Sequence, residues 1–152
     1  MKKLLLFLMS AVVLAGLFTY MPRDLVAVLD KTVGDADVTI YCTEYSGESI
    51  ETGIGKAVTV PINSYARTIV RCGDIRGVTV TFNGNLRDVQ SILDSLDAVT
   101  LSSERLKNIV TVYAYSPSVC GKLIVDGQPV NIQIAFTNGV VHVGSPLLLG
   151  SY

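Results

Sequence analysis

Hydrophobic and polar positions change rhythm several times along this chain, and each rhythm predicts an element. Behind Lys2 and Lys3, an unbroken apolar run extends from Leu4 to Met21 with no charge before Arg23. Its eighteen residues reach about 27 Å as a helix, marginally enough for a hydrocarbon core of about 30 Å. After it, Leu25, Val28 and Leu29 recur at helical spacing and predict a short helix or stalk, ended by Gly34-Asp35-Ala36-Asp37. Val38, Ile40 and Cys42 then alternate with Thr39, Tyr41 and Thr43, the signature of a half-buried strand. The glycine-rich stretch from Ser46 to Lys56 reads as a loop or loose hairpin.

Strands and helices then take turns. A second strand is expected from Ala57 to Ile62, and then a helix capped by Asn63 with Tyr65, Ala66, Ile69, Val70 and Cys72 along one side. Val78, Val80 and Phe82 alternate with Thr79 and Thr81 in a third strand. Asn85 heads the strongest helix pattern, in which Leu86, Val89, Ile92, Leu93 and Leu96 share one side. One helical turn is expected over Ser102 to Lys107, and a strand over Ile109 to Ser116. A meander follows from Lys122 to Val125, Val130 to Phe136 and Val140 to Val143. Asp126-Gly127 and Asn138-Gly139 supply its tight turns, and Leu147 to Leu149 extends the last strand or adds an edge. This order predicts an α+β domain: an antiparallel or mixed sheet of about six to seven strands, two helices packed on one face, and an N-terminal hydrophobic helix in front. The expected divisions are 1–22 as signal anchor or signal peptide, 23–37 as stalk or linker helix, and 38–152 as one extracytoplasmic domain.

The leader decides compartment. Val13-Leu14-Ala15 before Gly16 gives only a rough cleavage pattern, so an uncleaved single-pass anchor in the cell membrane is expected, with secretion the alternative if the leader is cut. The lysines stay inside and the domain faces out. Setting Lys2 and Lys3 aside leaves ten Lys and Arg against thirteen Asp and Glu, a formal charge of −3 for the exported part. That balance, without a basic cluster, argues against nucleic acid, and no polybasic stretch recommends anionic lipid headgroups.

The last seventy residues carry three runs: Val110-Thr-Val-Tyr-Ala-Tyr-Ser-Pro117, Val130-Asn-Ile-Gln-Ile-Ala135 and Val143-Gly-Ser-Pro-Leu-Leu-Leu-Gly-Ser-Tyr152. In these the chain resembles YwmB-like proteins of Gram-positive bacteria over Gly77 to Tyr152. The resemblance implies an export segment and an α+β domain of the shape called TATA-box-binding-protein-like. It brings no catalytic residue, and nothing before Ala57 takes part in it.

Strand alternation places Thr39, Tyr41, Thr43, Thr59, Thr79, Thr81, Thr111, Tyr113, Tyr115, Asn131 and Gln133 opposite the helix-covered side, without one charge among them. Such a surface suits stacking on sugar rings or bonding to polar polymer chains, although Thr and Tyr also favour any half-wet sheet. Tyr113, Tyr115, Tyr41, Thr79, Thr81, Asn131 and Gln133 are therefore the candidate binding residues. The rival is a small envelope hydrolase with a cysteine or carboxylate nucleophile. Cys120 or Cys72 would need His142 as base with Asp74 or Asp126 orienting it, or two of Glu44, Glu48 and Glu51 would need to stand about 5 to 9 Å apart. Gly53-Ile54-Gly55-Lys56 fails as a phosphate loop, since Ile50 stands where a glycine is required and Ala57 follows the lysine. No cofactor or metal is expected: the spacing of Cys42, Cys72, Cys120 and His142 fits no zinc site, and Asp35-Ala36-Asp37 is a fragment of a calcium loop. An odd cysteine count leaves at least one thiol unpaired, and buried free thiols are expected at Cys42 and Cys72, with one disulfide possible in any of three pairings. The reading is thus an exported binding or scaffold domain of the cell envelope, its partner a cell-wall polymer or an envelope protein.

Overall fold

The computed structural model describes residues 24–149; the expected anchor over 1–22 and the last three residues lie outside them. Helix α1 (Leu25–Leu29) opens the domain, with Asp24 Oδ1 accepting from the Val26 N–H at 3.0 Å. Leu25, Val26 and Leu29 are all core residues, at most 3% exposed. The segment expected to be a stalk is therefore built into the domain, because three apolar side chains on one short helix find a sheet to cover.

Strand β1 (Asp37–Cys42) pairs on one side with β3 (Gly55–Pro61) and on the other with β4 (Ile75–Asn83). Short β2 (Ile50–Thr52) pairs with β3, so the glycine-rich stretch is a hairpin. A 3-10 turn (Ile62–Ser64) leads into α2 (Tyr65–Ile69), at whose start no side chain caps; Asn63 is not the cap and Val70 is 79% exposed. Helix α3 (Leu86–Ser95) carries the full capping box: Asn85 Oδ1 accepts from Arg87 N at 2.8 Å, and Asp88 Oδ2 from Asn85 N at 2.7 Å.

β5 (Val99–Leu106) and β6 (Ile109–Tyr115) form a hairpin. The helical turn expected over Ser102 to Lys107 is thus strand. Ser-Ser-Glu-Arg has no strong local preference, and pairing with β6 decides its conformation. β7 (Leu123–Val125) and β8 (Gln128–Val130) make a separate two-stranded ribbon, while β9 (Ile132–Thr137) and β10 (Val140–Ser145) join the main sheet. Both expected turns are present, with Asp126 and Asn138 at φ of 49° and 50° followed by Gly127 and Gly139 at 77° and 81°.

The main sheet is antiparallel throughout, with eight strands in the order β2-β3-β1-β4-β10-β9-β6-β5. This is the α+β class, with more strands than the pattern predicts. The C-terminal strand β10 lies near the middle, between β4 and β9. Register sets Val38, Val80, Val143, Ile134 and Val112 in one row, and with Ile40, Val141 and Ile132 they form the face against which Leu29, Val89, Ile92 and Leu96 pack. Three helices, rather than two, contribute to that layer.

Candidate functional site: the outer face of the sheet

The same register carries Thr39, Thr79, Gly144 and Gln133 across the opposite face, with Tyr41, Thr81, Thr111, Tyr113 and Tyr115 on the same side. Asp37 and Glu104, the acidic residues that pairing places on this side, stand at its periphery. Over its central strands the face is the uncharged surface that strand alternation predicts. It is not the broad wet surface expected, because the chain's own end crosses it.

After the cis Ser145–Pro146 peptide, Leu147 to Leu149 turns back over the sheet as a strap. The path needs two glycines. A Cβ on Gly144 would stand 2.7 Å from the Leu147 carbonyl carbon and from Leu148 N, and one on Gly77 would stand 2.7 Å from Leu149 Cδ1. Gln133 fixes the strap by accepting the Leu148 N–H on its Oε1 at 3.0 Å. Leu147 to Leu149 is accordingly neither a continuation of β10 nor an edge.

Tyr41 and Thr79 are buried, at 7% and 8% exposure. Burial pushes the Tyr41 phenol above its ordinary value, with the Thr79 hydroxyl beside it pulling the other way. Thr79 Oγ1 itself is buried without a hydrogen bond in good geometry. The half-exposed residues lie to either side. Thr81 Oγ1 meets His142 Nδ1 at 3.1 Å, and burial holds the His142 pKa below its usual value. Gln133 is itself buried, at 6% exposure, with Nε2 3.5 Å from Tyr113 Oη; Tyr113 and Tyr115 beside it on β6 are half-buried. Thr39 and Thr59 share a hydroxyl bond of 2.9 Å.

Asn131 does not belong to this surface. It is fully buried: Oδ1 accepts from Ser116 N at 2.9 Å, and Nδ2 donates to the carbonyls of Ser116 and Val119 at 2.7 and 3.0 Å. Thr43 is likewise used locally, its Oγ1 accepting from Asp74 N at 3.0 Å.

The cysteines of the hydrolase reading are not brought to His142. His142 is on the outer face against Thr81, whereas Cys120 is an exposed thiol in a cavity shared with Leu25 and Val78 on the helix side. Cys42 is buried and Cys72 half-buried, and their sulfurs are neighbours; burial first, then the Cys42 thiol, pushes the Cys72 pKa up to about 11. A thiol so raised is a poor nucleophile at neutral pH. Glu51 faces Lys56 across the β2–β3 hairpin at 3.9 Å. Among the described residues, no three His, Cys, Asp or Glu side chains converge as metal ligands.

The cavity holding Cys120 measures about 530 Å³ and is lined mainly by apolar groups, with Arg76 and Lys122 at its margin and Asp24 and Tyr65 in its wall. Neither cation is signalled by a local motif; the fold gathers them from β4 and the loop before β7. The strap did leave a trace in sequence, since Gly77 and Gly144 interrupt strand patterns at positions on the outer side. Compared with family models, characterised proteins and solved structures, the chain matches none.

Proposed function

We propose that the chain is a membrane-tethered extracytoplasmic domain of the cell envelope that binds a polar polymer or an envelope protein through the outer face of its sheet. The observation that carries the reading is the uncharged side of β6, β9, β10 and β4, where half-buried Tyr113, Tyr115 and Thr81 stand on the same side as the strap and Tyr113 is paired with Gln133. Phenol rings and amides at this spacing suit stacking on sugar rings combined with hydrogen bonding to hydroxyls. The resemblance of Gly77 to Tyr152 to YwmB-like proteins belongs to the same proposal, and its quoted runs fall on β6, β9, β10 and the strap.

The test is retention of the detergent-solubilised full chain on purified cell-wall glycan, teichoic polymer and immobilised envelope proteins. Tyr113→Ala with Tyr115→Ala should weaken retention on the binding fraction by on the order of tenfold or more. Undiminished retention of the double variant would reduce the face to ordinary sheet chemistry. The tether is tested separately, by fractionating cells: a full-length chain in the membrane fraction is expected, and a shortened soluble protein would reverse that part of the proposal.

A further inference from the structure

We infer that the end of the domain around Asp24, Arg76 and Lys122 docks on the bilayer and takes the headgroup of an anionic phospholipid at the cavity mouth, an inference that rests on the tethered reading. Three observations converge there. The first is the fixed point of attachment. Only Pro22 and Arg23 separate the apolar run from Asp24. Asp24 is locked to the domain twice, by the Val26 N–H at 3.0 Å and by Tyr65 Oη, which donates to Oδ2 at 2.9 Å. Leu25 and Val26 are buried immediately afterwards, so from Asp24 onward the chain is already part of the domain.

The second is unpartnered charge. Neither Arg76 nor Lys122 forms an ion pair with a described residue, and the one carboxylate in the cavity wall, Asp24, is occupied by its two donors. The third is exposed apolar surface beside those cations. Ile75 is 41% exposed in the cavity wall, and Leu123 and Ile124, next along the chain from Lys122, are 43% and 65% exposed. Apolar side chains flanked by Arg and Lys are the pattern of a surface resting at the headgroup boundary.

Two cations near an anionic surface favour binding by roughly thirtyfold together. That is too little to recruit a free protein. Attached to the same bilayer, the domain meets the lipid at an effective concentration set by a two-residue connection, where weak contacts suffice.

The test uses the full chain carrying Cys72→Ser, labelled at exposed Cys120 with a polarity-sensitive fluorophore and reconstituted in vesicles. In vesicles containing phosphatidylglycerol, the emission should shift to the blue and be quenched by spin-labelled lipid. In phosphatidylcholine alone both effects should be several-fold smaller. Arg76→Ala with Lys122→Ala should lose the lipid preference while keeping the same thermal midpoint. Equal response to the two lipids, an unchanged double variant, or the same shift from inorganic phosphate without vesicles would overturn the inference. A cleaved chain in cells would end the tethered reading by itself, whereas the docking face is judged on the reconstituted full chain, so loss of the anchor and loss of the docking face are read apart.

Discussion

At the scale of single residues, buried polar groups carry the sharpest consequences. Asn131 satisfies one N–H and two carbonyls of the 116–119 turn from a fully buried position. Asn131→Ala would strand all three, so a loss of about 2 to 4 kcal/mol is expected in urea unfolding. Parity in sequence had placed Asn131 on the binding face. Alternation reports which side a side chain leaves from; only the fold decides whether a loop closes over it. His142 yields a prediction with a definite sign. Its folded pKa lies below the ordinary 6.5, because burial disfavours the charged ring. The unfolded chain therefore takes up the proton first as pH falls below about 6.5, and stability drops from there down through the folded pKa. His142→Gln should flatten that part of the dependence of the thermal midpoint between pH 7 and 5, and an unaltered profile would assign the slope to other groups.

Elements differ in how far local sequence specifies them. Helix α3 was legible almost throughout: Asn85 caps it, and Val89, Ile92, Leu93 and Leu96 of the expected stripe are buried, while Leu86 at its start is 45% exposed. Asn85→Ala should cost about 1 kcal/mol, read as a lowered unfolding midpoint, with Asp88→Ala alone removing only the reciprocal bond. Strand β5 was not legible, for its residues are exposed along almost the whole length and take their conformation from β6. The strap was the least legible, since its path depends on space left by Gly77 and Gly144 on two adjoining strands. Gly144→Ala places a methyl group against the Leu147–Leu148 peptide and should displace the strap, costing about 1 to 3 kcal/mol. Faster trimming of the C-terminus by carboxypeptidase would report that displacement directly, and unaltered trimming would mean that the strap shifts without leaving.

Across the whole molecule, the class of fold and the side of the sheet whose central strands carry no Asp, Glu, Lys or Arg could be read from the chain, because both follow from periodicity. The pairing order could not, since β10 finds its partners more than fifty residues away in β4. The candidate face was correspondingly half legible: the phenols of β6 leave from the side that alternation assigns them, while the strap over it, and the cavity that Arg76 and Lys122 line on the other side, arise only through folding. Placing β10 near the centre of the sheet also has a bearing on how the sheet holds together. Until Val140–Ser145 is available, β4 and β9 have no shared neighbour and the valine row through Val143 is broken. The two parts of the sheet, β2-β3-β1-β4 and β9-β6-β5, are thus joined only through β10. Displacing that one strand would divide the sheet in two, where losing an edge strand would only shorten it.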